Sequence, residues 1–397
     1  MLAATVRVTR DLGIAEEAVQ DAYVQALRAW RRDGLPDRPG AWLTTVARRN
    51  ALNLVRRRRT LDAKLHLLVE PGDGEAPEPT PGGAGTFPDD RLRLVFTCCH
   101  PALATEAQVA LTLRLVCGVA TPDIARAFIV AEATMAARLT RAKKKIAAAR
   151  IPYAVPSAAD LPARVDAVLT VVHLLYATGH TAPSGGDLVR AELCDRALDL
   201  AHLLRRLLPQ EREVAGLLAL LLVHEARRAT RTDAEGRLLR LEDQDRSAWD
   251  LALIAAADGL VVDALRAGPP GRFTLQAAIA SLHAQAPTYE STDWPQIVTL
   301  YDELLRVWPS PVVALNRAVA VAMIDGPEAA LADVDALAHD GRLAGYHYLP
   351  ATRADLLHRL GRDPEAADAY RQALALSDND AESAFLTERL RSVDPSS

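Results

Sequence analysis

Residues 106–146 read EAQVALTLRLVCGVATPDIARAFIVAEATMAARLTRAKKKI. Glu106 to Cys117 carries apolar residues at helical spacing, and Gly118 stops that helix, because glycine tolerates the positive φ of a helix end. Thr121-Pro122-Asp123 starts another, with Thr as N-cap, Pro in the first helical position and an acid in the first turn. Ile124, Ala125 and Phe128 supply the apolar side of this short helix. A turn through Ile129-Val130-Ala131 leads to a basic helix. There Met135, Leu139, Ala142 and Ile146 step by 4, 3 and 4 positions and form one apolar stripe, while Thr134, Arg138, Arg141, Lys144 and Lys145 lie on the other side. A solvated surface helix has the same composition. The order of elements (helix, short helix, tight turn, long basic helix) is that of a helix-turn-helix. Slim residues near the start of its last helix admit it to a major groove, where Arg and Lys meet base edges and phosphates.

Charge is unevenly spread around this stretch. The 397 residues sum to −5, yet residues 1–64 carry +6, residues 65–90 carry −6, residues 91–151 carry +7 and the remainder −12. Two small basic modules therefore flank an acidic segment, EPGDGEAPEPTPGGAGTFPDD, whose Pro, Gly and acid content predicts an extended linker. A basic front on an acidic chain points to a polyanionic partner. Half the chain is hydrophobic but only 5 % is aromatic, so its cores are built of Ala, Leu and Val, which favours an all-α fold. The apolar run Leu217 to Val223 is bracketed by Glu213 and His224 and reads as a buried helix, not a membrane span. Arg7, Arg10 and Asp11 interrupt the start, so no signal peptide is expected; four cysteines without CxxC spacing predict no disulfide framework, and a cytoplasmic location is expected.

The first basic module, residues 1–64, holds an acidic amphipathic helix over 9–30, with Ile14, Ala18, Ala22 and Leu27 on its apolar side and Glu16, Glu17, Gln20 and Asp21 elsewhere. A Pro/Gly loop then leads to AWLTTVARRNALNLVRRRR, residues 41–59, with six arginines between Arg48 and Arg59. From Leu161 onward helix follows helix, with breaks at Pro183 to Gly186 and Ala267 to Gly271; a helical middle domain is expected over 160–270 and helical repeats over 271–397. Within the latter, LLHRLGRDPEAADAYRQALALSDND (356–380) resembles a tetratricopeptide repeat, and the stretch from Trp294 is a weaker relative. Stacked helix pairs of this kind form a solenoid with a concave face.

The segments TPDIARAF and ATMAARLTRAKKKI resemble the −35-binding domain of bacterial sigma factors, and DLGIAEEAVQDAYVQAL with RPGAWLTTVARRNALNLVRRRR resembles sigma region two. The full layout, including RLRLVFTCCHPAL and SPVVALNRAVAV, resembles the extracytoplasmic-function group with a long tetratricopeptide-like C-terminal extension. The resemblance implies two partners, RNA polymerase core and promoter DNA. It places Thr134, Ala137, Arg138, Arg141, Lys144 and Lys145 on the −35 element and Trp42, Arg48, Arg49, Asn50, Asn53, Arg56 and Arg57 on the −10 element. Glu16, Glu17, Gln20 and Asp21 fall to the polymerase. Three departures stand out: Ala131 where the family usually caps the last helix with Ser, Asn53 where Asp is frequent, and Met1 inside the expected first helix. The alternative reading is a helix-turn-helix activator with a repeat-type sensor domain. The acidic extension is expected to dock in cis on the basic modules, or to bind a separate partner.

No catalytic motif, cofactor site or membrane segment is predicted: the chain has no Walker loop, GxGxxG, HExxH or GxSxG. Cys98-Cys99-His100 is an unsuitable metal site, because adjacent cysteines rarely serve one tetrahedral ion, and reads instead as a partly buried helix start. Asp243, Gln244, Asp245, Arg246 and Trp249, with Arg227 and Arg228, are expected to pair and lock helices more than to line a polar pocket.

Overall fold

A computed structural model describes residues 1–66, 90–128, 130–157, 159–182 and 185–394. Among the described residues it forms eighteen α-helices and no β-strand. The expected linker lies almost wholly outside them. The chain divides into two compact units, residues 1–171 without 127–129, and residues 172–397 with 127–129.

The first unit opens with α1 (Leu2–Thr9), α2 (Leu12–Asp33) and α3 (Pro39–His66), which pack on one another pairwise. Alanine makes this close approach possible: Ala15, Ala18, Ala22, Ala47 and Ala51 are wholly buried. Asp11 caps α2, its Oδ1 accepting from the Ile14 N–H at 2.9 Å. The rings of Trp30 and Trp42 meet at 5.6 Å, pinning the end of α2 to the start of α3.

Next come α4 (Asp90–Cys98), α5 (Thr105–Leu111), α6 (Thr121–Ala127) and α7 (Glu132–Ala148). Gly118 has φ 73°, as a glycine stop requires. The helix before it is not uniform, however: Thr112–Val116 continues α5 as a π-helix, closed by the Cys117 N–H on the Thr112 carbonyl at 3.1 Å. The wider turn buries Leu113 and Leu115 while leaving Arg114 at the edge. The short helix starts at Thr121, with the Ala120 carbonyl accepting from Ile124, so Thr121 stands one position inside the expected cap. Ala131 makes no side-chain cap for α7, whose buried stripe is the expected Met135, Leu139, Ala142 and Ile146. Cys98 and Cys99 correct the sequence reading: they end a helix, and both are fully buried. Burial pushes the Cys99 thiol up to about 12, against the Thr112 hydroxyl 3.5 Å away. His100 Nδ1 accepts from the Ala102 N–H, a turn contact.

The boundary between units falls within α8 (Leu161–His180). The second unit continues through α9 (Ala191–Leu207), α10 (Arg212–Ala226), α11 (Leu251–Arg266) and α12 (Arg272–Gln285). It ends with α13 (Trp294–Val307), α14 (Pro311–Ile324), α15 (Pro327–Asp340), α16 (Tyr348–Arg359), α17 (Asp363–Ala375) and α18 (Asp380–Val393). Among the described residues no helix is long and apolar enough to cross a membrane. The run Leu217 to Val223 lies inside α10, which is buried between α9, α11 and α12. Near the expected limit at 270, α12 packs on both α10 and α11. Gly216 of α10 sits so close to α12 that a Cβ there would lie 2.6 Å from the Thr274 nitrogen. Beside it the Glu213 carboxylate accepts from the backbone N–H groups of Gly271, Phe273 and Thr274 at 3.1, 2.8 and 3.3 Å, capping α12 from a neighbouring helix.

Consecutive helices from α12 to α18 pack in sequence, and the repeat-like stretch 356–380 covers the last turn of α16, the Gly361 turn (φ 72°) and α17, with Tyr370 in the core. This array is not open-ended. Asn379 Nδ2 donates to the carbonyls of Ala182 and Asp187 at 3.0 and 3.2 Å, and the Asp380 N–H to Gly185. The start of α18 is thereby tied to the loop after α8, nearly two hundred residues earlier. The Arg227–Trp249 group locks helices, but by stacking and bonds to carbonyls and not by the expected pairing of its charges: Arg228 pairs with Asp195 and Glu225, and Asp243 with Arg240. Arg227 and Arg246 stack on the Trp249 ring at 5.2 and 4.7 Å, its Nε1 donates to Thr230 Oγ1, and Arg246 also donates to the carbonyls of His283 and Ala286.

Candidate nucleic-acid interface

The exposed ridge of α7 is set by its buried stripe. With Met135, Leu139, Ala142 and Ile146 inside, Thr134, Ala137, Arg141, Lys144 and Lys145 are exposed and Arg138 is half-buried. All six residues expected on the −35 element thus lie outside the core of one helix, and its first turn is slim: Ala133, Thr134, Ala136 and Ala137. That shape and charge suit a major groove.

Lys143 behaves differently from its two neighbours. It follows Leu139 by four positions, so it flanks the apolar stripe and turns toward the first module. Its Nζ makes a short ion pair with Glu16 Oε2. Arg114, on the π-helical turn, donates through Nε to Glu16 Oε1 at 3.0 Å, and its Nη1 reaches the Val119 carbonyl at 3.3 Å. Glu16 is therefore shared between two cations of the second module, with only 16 % of its side chain exposed. The neighbouring Glu17, Gln20 and Asp21 are exposed. Of the four residues assigned to one polymerase-facing patch, three face solvent and the fourth is spoken for.

A second seam joins the same modules. The Tyr153 hydroxyl lies 2.8 Å from the Ala3 carbonyl and 2.7 Å from that of Asp90, and Arg7 pairs with Asp90 at 3.5 Å. Arg164 on α8 donates to the Phe96 carbonyl, so the first turns of α8 belong to this unit. Arg114, Lys143 and Tyr153 were not identified from sequence. The position of Lys143 beside the Leu139 stripe was the one legible sign.

Residues expected on the −10 element are spread along α3. Trp42, Arg48 and Asn50 are half-buried; Arg49, Asn53, Arg56 and Arg57 are exposed. Asn50 Oδ1 accepts from Gln25 Nε2 at 3.4 Å, while its Nδ2 and Arg48 Nε are buried with no hydrogen-bond partner among the described residues. The exposed edge of Arg49, Asn53, Arg56 and Arg57 is a basic surface suited to phosphate contacts.

Residues 2–60 match the model of Sigma-70 region 2 and residues 93–146 that of Sigma-70, region 4, while residues 164–265 match a family of unknown function (DUF6596). An uncharacterized protein of Rhizobium meliloti (strain 1021) is 45 % identical over 391 residues, 98 % of this chain and 92 % of the relative.

Proposed function

From the premise that this chain belongs to the sigma-70 family, of the extracytoplasmic-function type with a C-terminal extension, we propose the roles of its individual surfaces in promoter recognition. The exposed ridge of α7 reads the −35 element, with Arg138 and Arg141 toward bases and Lys144 and Lys145 toward phosphates. The Arg49–Arg57 edge of α3, with Trp42, Arg48 and Asn50, takes the −10 element. Glu17, Gln20 and Asp21 meet the polymerase core. Support for the first role comes from one observation above all: four buried residues at 4, 3 and 4 spacing leave an unbroken ridge of small and cationic side chains outside. Run-off transcription with purified core polymerase tests it. Arg141→Ala should weaken −35-dependent initiation at moderate salt while leaving core binding intact; full activity would remove α7 from promoter reading.

The finer reading concerns regulation in cis. Glu16 belongs to the patch assigned to polymerase, yet here it is paired with Arg114 and Lys143. One carboxylate cannot serve both at once, so core binding competes with closure of the two modules. The extension acts on the same balance. Its −12 opposes the +13 of the basic modules on one chain, at high effective concentration. Residues 1–155 should transcribe differently with and without residues 156–397 supplied in trans. No difference, and no association between the pieces, would exclude the extension as the regulator.

A further inference from the structure

The second unit holds a cavity of about 640 Å³ that none of the surfaces above uses. It forms where α18, tied back by Asn379, meets the end of α8 and the loop before α16. Glu382, in the first turn of α18, lies in its wall and is only 5 % exposed. Tyr348 donates to Glu382 Oε1, and His347 Nε2 lies 3.4 Å from Oε2. Against the cost of burial, these contacts hold the carboxyl below the ordinary range, so it is ionised at neutral pH. A second carboxylate, Asp378, stands exposed at the rim. Three rings line the same side: His347 and Tyr348 have centroids 4.0 Å apart, and Tyr346 is 5.2 Å from Tyr348.

No Lys or Arg side chain lines this cavity among the described residues. Arg231 donates to the His180 carbonyl and to Thr181 Oγ1, and its charge also acts on Glu382, while the exposed Asp378 has no such cation in the described lining. His180 itself is held neutral, first by burial and then by His224 and nearby arginines. The lining thus offers two carboxylates, aromatic faces, and the amide and hydroxyls of Asn316, Thr181 and Thr352. An anion would meet the carboxylates head-on. A neutral apolar ligand would strip water from them without replacing it. A cation fits on both counts, through charge and through the ring faces.

We propose that this cavity binds a protonated amine, either a free aliphatic polyamine or the side chain of a lysine-bearing peptide. The volume suits either source, and the site stands independently of the promoter-reading assignment.

Isothermal titration calorimetry on the full chain, at about 150 mM salt to screen diffuse binding to the acidic surface, tests this without DNA or polymerase. Spermidine and a blocked Gly-Lys-Gly tripeptide are the two amine probes, and the tripeptide acetylated at its lysine is the neutral control. At least one amine should bind in a 1:1 complex and the control should not; which amine binds better identifies the source. Asp378→Asn, an exposed change that leaves the fold intact, should weaken binding about tenfold, and Asn316→Trp, which fills the cavity from α14, should abolish it. The proposal is overturned if neither amine binds, if the acetylated peptide binds equally, or if both variants keep full affinity, which would mark diffuse attraction to an acidic surface.

Discussion

Two half-buried glutamates, one in each unit, show how differently the halves of this chain are held. Glu16 accepts from side-chain cations, Arg114 and Lys143, which sit on long flexible stems and can be exchanged for other cations. Glu213 accepts from the backbone N–H groups of Gly271, Phe273 and Thr274, which cannot move without unwinding the start of α12. The first contact is a replaceable clasp, sensitive to salt and to competing partners. The second is a built-in part of the core.

Acid should separate the two units most strongly. Burial, aided by nearby arginines, pushes His173 and His283 down to about 4 and His224 to about 3. Unfolded, these groups titrate near 6.5. Between those limits the unfolded chain binds more protons, so stability is complete above about pH 6.5 and is lost as pH falls toward 4. Each histidine contributes up to about 1.4 kcal/mol per pH unit. Scanning calorimetry from pH 7.5 to 5 should show the extension's transition falling steeply while that of residues 1–171 moves less; parallel shifts would contradict the assignment.

Glu213→Ala comes next. Removing the carboxylate orphans three N–H groups at a buried helix start and should destabilise the extension by about 3 kcal/mol, read as a lower urea midpoint with core binding unchanged. Arg141→Ala should cost about 1–3 kcal/mol in −35 affinity and relax preference at one base pair, whereas Lys144→Ala should weaken all sequences alike and flatten the salt dependence of binding. The smallest effect belongs to Glu16→Gln. Loosening an ion pair near the surface should cost about 1 kcal/mol or less in stability, yet it should expand residues 1–155 in small-angle scattering and shift core affinity, with the difference fading at high salt. Equal scattering at low salt would mean that the clasp does not hold the modules.

Much of this was legible in the chain. The 4, 3, 4 stripe of α7, the Gly118 stop, the uncapped Ala131 and the burial of Leu217 to Val223 all depend on local periodicity and backbone preference, which a sequence carries directly. The two basic blocks, residues 1–64 and 91–151, coincide with the matches to Sigma-70 regions 2 and 4. What sequence left open depends on residues far apart in the chain. Three adjacent lysines look alike in sequence, and only the tertiary fold separates Lys143, which meets Glu16, from Lys144 and Lys145, which face solvent. The π-turn that brings Arg114 to the same carboxylate has no reliable residue signature. Nor does Asn379, whose amide reaches carbonyls almost two hundred residues away and closes the extension around its cavity. Helices are short-range objects, fixed by the residues three and four positions apart. Which helices meet, and which charge finds which partner, is settled by the burial of whole faces, and that is a property of the folded chain alone.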